Sequence, residues 1–136
     1  TIVKNIFSKV FPSAHIIKTG SKHAEMIKYF TNSFLATKVS FANEMYDLCK
    51  KLGLDYDKVV EYSTLDDRLG NSHFSVPGPD GDLGFGGHCF PKDLSAIIKL
   101  TEQVGTVNYI LKSVKKTNDR VRKNRDWEKM KGRAVN

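Results

Sequence analysis

From Ser21 to Leu52 the chain contains neither glycine nor proline, and Gly53 follows at once. A stretch of that length without a breaker predicts one long helix. Ser21 would cap its start, Glu25 would lie near its positive end, and Gly53 would stop it. Ile27, Phe30, Phe34, Leu35, Val39, Phe41, Ala42, Met45, Leu48, Cys49 and Leu52 wrap much of its circumference. A helix that apolar has to be covered on more than one side, by its own domain and by a second copy of the chain. Cys49 belongs to this set and reads as a small core residue.

The segments on either side complete a mainly helical chain. Ile2, Val3, Ile6, Phe7, Val10 and Phe11 recur at helical spacing until Pro12, and His15–Thr19 then reads as a short strand closed by Gly20. A helix followed by a strand is what the end of a doubly wound α/β domain would leave. No GxGxxG turn accompanies it, so a complete dinucleotide-binding domain is excluded. Thr1-Ile2-Val3 reads as a cut inside a larger protein. Beyond Gly53, Asp55 predicts the cap of a shorter helix through Val59, Val60 and Tyr62. The Gly70–Gly87 segment, rich in Gly, Pro and Asp, is too long for a simple connector and points to a functional loop. A helix is expected from near Pro91 through Leu94, Ile97, Ile98 and Leu100. Another should start near Val107 and run through Leu111, Val114 and Val121 into the tail.

Charge is concentrated at that tail. The net charge is +7, and from Lys112 onward ten Lys or Arg face three acids, so the first 111 residues balance to zero. No aromatic interleaving or nucleic-acid motif accompanies the basic run around Arg120, Arg122 and Arg125. It therefore reads as a solvated terminal helix, or one touching an acidic neighbour outside this chain, and nucleic acid is not the expected partner. No apolar run is long enough to span a bilayer and no signal-peptide pattern opens the chain. Two cysteines in unlike contexts argue against a disulfide and for the cytoplasm. His15, His23 and His73 have no metal-ligand spacing with them, so no metal is expected.

The densest chemistry lies in Gly84-Phe85-Gly86-Gly87-His88-Cys89-Phe90-Pro91-Lys92-Asp93. Glycines let backbone approach a ligand, and Pro91 suits the first turn of a helix. Cys89 would then sit just before a helix N-terminus, where N–H groups favour a nucleophilic thiolate. Lys92 adds positive charge, and Asp93 lies one turn beyond Cys89 on the same side. A thiolate beside a carboxylate suits covalent catalysis followed by hydrolysis. His88 reads as polar loop surface. On the long helix, Lys28 and Asn32 share a face at i, i+4. Lys plus Asn can hold a developing oxyanion, and a desolvated Lys there can act as acid or base.

Glu25–Glu44 resembles the central helix of the UDP-glucose/GDP-mannose dehydrogenase family. Asp66-Asp67-Arg68-Leu69-Gly70 resembles that family's Asp-x-Arg-Ile-Gly segment, and Gly84–Asp93 resembles its catalytic-cysteine motif. The three motifs stand in family order and span most of residues 20–110.

The resemblance implies a C-terminal end of an NAD-binding Rossmann-type domain at 1–20 and a helical central dimerisation and catalytic-cysteine domain at 21–136. It implies oxidation of a sugar C6 alcohol to a carboxylate with NAD as cofactor, UDP-glucose being the expected substrate. Cys89 would trap the aldehyde as a thiohemiacetal that is oxidised to a thioester. Lys28 and Asn32 would stabilise the oxyanion, Asp93 would help activate water, and Lys92 would lie near the cofactor phosphates. Arg68 would reach the sugar end of the substrate across a homodimer built on helix 21–53. Phe85, Gly86 and Gly87 would line the pocket. Val76–Asp82 makes the loop longer than in the simplest members. GDP-mannose and UDP-N-acetylhexosamine enzymes share the cysteine motif. A two-electron β-hydroxyacid-type dehydrogenase would share only the Lys and Asn, and a helical module serving assembly alone would need neither. Without its flanking domains such a segment is not expected to turn over by itself.

Overall fold

The computed structural model describes residues 1–130. The end of the basic tail, with Lys131 and Arg133, and the end of the segment assigned to 21–136 lie outside the described residues. Five α-helices occur in the order α1 (Ile2–Val10), α2 (Ser21–Leu52), α3 (Tyr56–Ser63), α4 (Cys89–Val104) and α5 (Tyr109–Val121), followed by a 3₁₀ turn at Asp126–Lys129. The mainly α reading holds.

The long helix is the scaffold. α4 and α5 pack on α2 and on each other, and α3 packs on α2 further along. Ala36 and Ala42, both essentially inaccessible, let the neighbouring backbones come close. Around Ala36 gather Phe85, Leu94, Ile98 and Val114. Around Ala42 gather Cys49, Tyr56 and Val76, with Phe74 and Leu83 against them. Cys49 is the small core residue that the pattern predicted, at 3% exposure. Tyr56 donates its hydroxyl to the Phe74 carbonyl at 2.7 Å, and burial pushes its phenol up to about 12. The Gly70–Gly87 loop thus folds back over α2 and fills both clusters.

Several local readings shift. Gly20, not Ser21, takes the N-cap position of α2, and Ser21 is already helical. Asp55 does cap α3, its Oδ1 accepting from the Lys58 N–H at 3.2 Å. α4 starts two residues before Pro91, at Cys89, and α5 starts at Tyr109. The expected strand at His15–Thr19 is not formed, and the described residues contain no strand. A strand needs a neighbour for its ladder hydrogen bonds, and nothing here offers one. For the same reason α1 carries its apolar row exposed: none of its residues is buried. No helix among the described residues is long and apolar enough to cross a membrane.

Leu94 is the largest apolar side chain wholly enclosed between α2 and α4. Leu94→Ala is expected to lower unfolding stability by about 3 kcal/mol through lost burial and the cavity left behind, read from urea unfolding.

Candidate functional site

Lys28 and Asn32 lie one turn apart on α2, on the side that faces the start of α4. Between the helices sits Asp93, with no solvent exposure. Asn32 donates from Nδ2 to Asp93 Oδ2 at 2.6 Å, and Lys28 Nζ stands 3.4 Å from the same oxygen. Lys92 Nζ lies 2.9 Å from Oδ1, a close charge-assisted contact. A buried carboxylate must be compensated or neutralised. Burial pushes the Asp93 carboxyl up, but the hydrogen bonds from Lys92 and Asn32, with the charges of Lys92 and Lys28, outweigh it. Its pKa is therefore lowered. In return, the hydrogen bond to Asp93 raises the Lys92 ammonium.

Cys89 is the first residue of α4 and is exposed, one turn before Asp93. His88 occupies the cap position without a side-chain cap bond and is exposed, as the sequence suggested. The structure thus brings together four of the residues singled out from the sequence, Lys28, Asn32, Lys92 and Asp93, with exposed Cys89 opening the same helix.

The glycine loop before Cys89 is held from three directions. Asn43 Oδ1 accepts from Gly84 N–H at 3.0 Å. Asn118 brackets Phe85, its Oδ1 accepting from the backbone N–H at 2.7 Å and its Nδ2 donating to the carbonyl at 2.9 Å. Asp126 accepts from Gly87 N–H with both carboxylate oxygens, at 3.0 and 3.1 Å. Gly84 sits at φ +67°, and Gly86 lies so close to the Arg122 guanidinium that a Cβ would overlap it. Sequence reasoning missed Asn43, Asn118, Arg122 and Asp126. Asn43 could have been found as a polar residue among the apolar positions of a long helix.

Arg122 is a correction. The basic run reads from sequence as a solvated helix or one touching an acidic neighbour outside this chain, yet the Arg122 side chain is 1% exposed. Its Nη2 stands 2.6 Å from Asp80 Oδ2 and its Nε 3.5 Å from Asp82 Oδ2. The acidic neighbour is this chain's own loop. Asp80 is lowered chiefly by its hydrogen bond with Arg122, and Asp82 chiefly by the Asn124 backbone N–H.

A cleft of 520 Å³ opens beside the loop, lined by His73, Pro79, Gly86, Gly87, Phe90 and Asp126 among others. Phe85 reaches it only at an edge, being 6% exposed in the core and edge-on to Phe90 with centroids 5.8 Å apart. His73, with φ +69°, places its ring 5.8 Å from that of Phe90. Arg68 stays outside this constellation. Its side chain is exposed and forks onto Asp66, Nε to Oδ1 at 2.9 Å and Nη2 to Oδ2 at 2.5 Å. Buried Lys38 fixes the turn that presents Arg68 by donating to the Leu69 carbonyl at 3.0 Å, 4.3 Å above the Phe74 ring centre.

An exposed thiol on a glycine-loop helix, one turn from a carboxylate gathered by Lys, Asn and Lys, defines a class. The chain belongs to the UDP-glucose/GDP-mannose dehydrogenase family, whose central domain matches residues 22–120. It is 39% identical over 109 residues to UDP-glucose 6-dehydrogenase TuaD of Bacillus subtilis (strain 168), covering 80% of this chain and 23% of that protein. It is 45% identical over 105 residues to UDP-glucose 6-dehydrogenase of Rickettsia prowazekii (strain Madrid E), covering 77% of this chain and 23% of that one. The structure of a UDP-glucose dehydrogenase from the hyperthermophilic archaeon Pyrobaculum islandicum is similar with a TM-score of 0.72 and 38% identity. That match covers 88% of this chain and 27% of the other. The chain spans about a quarter of the length of these relatives.

Two outcomes test this geometry. Because the Asp93 pKa is lowered in the fold, its contribution to stability is complete above the ordinary carboxylate range near ~4 and is lost as pH falls through the folded value. Asp93→Asn should therefore flatten the acid side of the stability–pH curve below about pH 4, measured by urea unfolding at stepped pH. Gly86→Ala should destabilise by about 1–3 kcal/mol, because the new methyl displaces the Arg122 guanidinium.

Proposed function

We propose that this chain is the central part of a longer enzyme that oxidises the C6 alcohol of UDP-glucose to UDP-glucuronate, consuming two NAD and one water per sugar. The observation that carries this reading is Asp93, wholly buried, drawing Lys28, Asn32 and Lys92 together one turn from exposed Cys89. Neither a two-electron dehydrogenase nor an assembly module requires that thiol beside that cluster.

The described residues do not fit a dinucleotide by themselves. They contain no strand leading through a glycine turn into a helix, the unit that cradles a pyrophosphate. NAD, which supplies the hydride acceptor, is assigned to a part of the enzyme outside these residues. Lys92, with its side chain about a third exposed, pairs with Asp93 and is the residue we assign to a cofactor phosphate.

The chain's own side chains account for the covalent steps. The Cys89 sulfur bonds to the C6 aldehyde carbon, and the carbonyl oxygen gains the negative charge. Lys28, its side chain about half exposed, meets that oxygen with its ammonium. Asn32 keeps one amide N–H on Asp93 and has a second to offer the oxyanion. Once C6 is at the acyl level, water adds to the thioester, the C–S bond breaks and the thiolate leaves with the carboxylate formed. Asp93 exposes no oxygen, so its help in activating that water runs through Lys28 and Lys92, which it holds and orients. Lys28 is the group placed to move the proton.

The same proposal covers assembly. Ile27, Phe30, Phe34, Phe41, Leu48 and Leu52 form an exposed apolar stripe along α2, each at least 47% exposed. A second copy would cover it and would bring in Arg68, which finds no role in its own chain's cluster. Two unpaired thiols suit a reducing, cytoplasmic setting.

NADH formation from UDP-glucose by the longer enzyme is expected at about two per sugar, and Cys89→Ser should lower turnover at least about 10³-fold. One NADH per sugar, indifferent to Cys89→Ser, would sink the thioester assignment. In analytical ultracentrifugation the present chain should sediment as a dimer, and Phe34→Asp should convert it to monomer.

A further inference from the structure

The glycine loop that ends at Cys89 is braced by a buried guanidinium, that of Arg122. Arg122 lies at the end of α5, in the segment that sequence alone marks as basic tail. Its side chain is as inaccessible as a core leucine. Three carboxylates surround it. Asp80 and Asp82 approach from the loop itself, and Asp126 adds its charge from the 3₁₀ turn. Nε also donates to the Asn124 carbonyl at 2.8 Å, while Nη1 is buried with no partner.

We infer that Arg122 is a positioning residue for the cysteine loop, acting through Asp80, Asp82 and Asp126 on the backbone between Gly84 and Cys89. The inference rests on the reading of Cys89 as the nucleophile. Its physical basis is the arrangement of charges. Asp126 spends both oxygens on the Gly87 N–H, two residues before Cys89. A carboxylate half-withdrawn from water holds that posture more firmly with a cation beside it. Gly86 packs directly on the guanidinium, where any side chain would collide with Arg122 and Asp126. Asp82 accepts in addition from the Asn124 N–H at 2.9 Å, stitching the loop to the chain beyond α5. The Asp80–Asp82 segment is thereby tied to the cysteine turn through one side chain. Lys would keep a charge near Asp80 but would lose the fork that spans Asp80 and the Asn124 carbonyl.

A residue that merely stabilised the fold would act everywhere at once; a positioning residue acts on the loop. Amide hydrogen exchange on the full 136-residue chain separates the two. In Arg122→Met, the acids that lose their cation should open toward water, and the amides of Gly84, Phe85 and Gly87 should exchange about tenfold faster or more. Amides in the middle of α2 and α4 should keep their rates. Arg122→Lys should restore part of the loop's protection. In the longer enzyme, assayed well below its lowered thermal midpoint, Arg122→Met should lower kcat, again with partial recovery in Arg122→Lys. Unchanged loop exchange, or acceleration spread evenly over α2, α4 and α5, overturns the inference. The exchange readout needs no substrate and no thioester. It therefore stands or falls apart from the Cys89→Ser result.

Discussion

A carboxylate with no exposed surface cannot be left alone, and Asp93 organises the molecule around that constraint. It lies beside Leu94, the largest buried apolar side chain, so the same turn of α4 carries both the polar and the apolar demand. Leu94 fixes how deeply α4 seats against α2, and Asp93 fixes its register, because on α2 Asn32 and Lys28 are the groups at that level that compensate the charge. A slip of one turn would leave the carboxylate facing the apolar side chains around Ala36. With the register fixed, Cys89 has only one place to be, on the first turn of α4 and outside the protein surface.

The loop that leads to Cys89 obeys a second constraint, the satisfaction of backbone amides in a segment with few side chains to anchor it. Glycines give the close approach but no grip. The grip comes from elsewhere: Asn43 on α2, Asn118 on α5 and Asp126 beyond it each receive a loop N–H. These three anchors are far apart in sequence and converge only because α2, α4 and α5 pack as one unit. The helical core and the reactive loop are therefore not separable layers. Loss of helix packing would release the loop, and a loose loop would leave Asn43 and Asn118 as unpaired polar groups inside the core.

What the sequence revealed follows from how local each signal is. The unbroken run over α2, its stop at Gly53 and the Asp55 cap are decided within a few residues, and they were legible. Lys28 with Asn32, and Cys89 with Asp93, are i, i+4 pairs whose shared faces follow from helical geometry alone. Arg122 was misread because its partners are forty residues away in a loop of irregular backbone. No periodicity announces such a meeting, and a basic residue among basic neighbours looks solvated. The expected strand at His15–Thr19 failed for the opposite reason. Its local pattern is fair, but a strand is a property of a pair, and the described residues supply no second one.

The distribution of apolar surface carries the argument further. α1 buries nothing, and α2 leaves Ile27, Phe30, Phe34, Phe41, Leu48 and Leu52 open along a face that its own α4 and α5 do not reach. Isolated exposed apolar residues are ordinary, but a stripe continued over most of a long helix is not. The two unfinished faces differ in kind. The one on α1 is short and stands beside the His15–Thr19 segment, which has no strand partner among the described residues. The one on α2 is long, rigid and backed by the core that sets Asp93, so it calls for a partner equally long and rigid. A second α2 meets that requirement without any further component. The turn that carries Arg68 is pinned to this same helix by Lys38. In the proposed dimer, the interface and the cross-subunit arginine would then be set by one rigid element, the same one that holds Lys28 and Asn32 against Asp93.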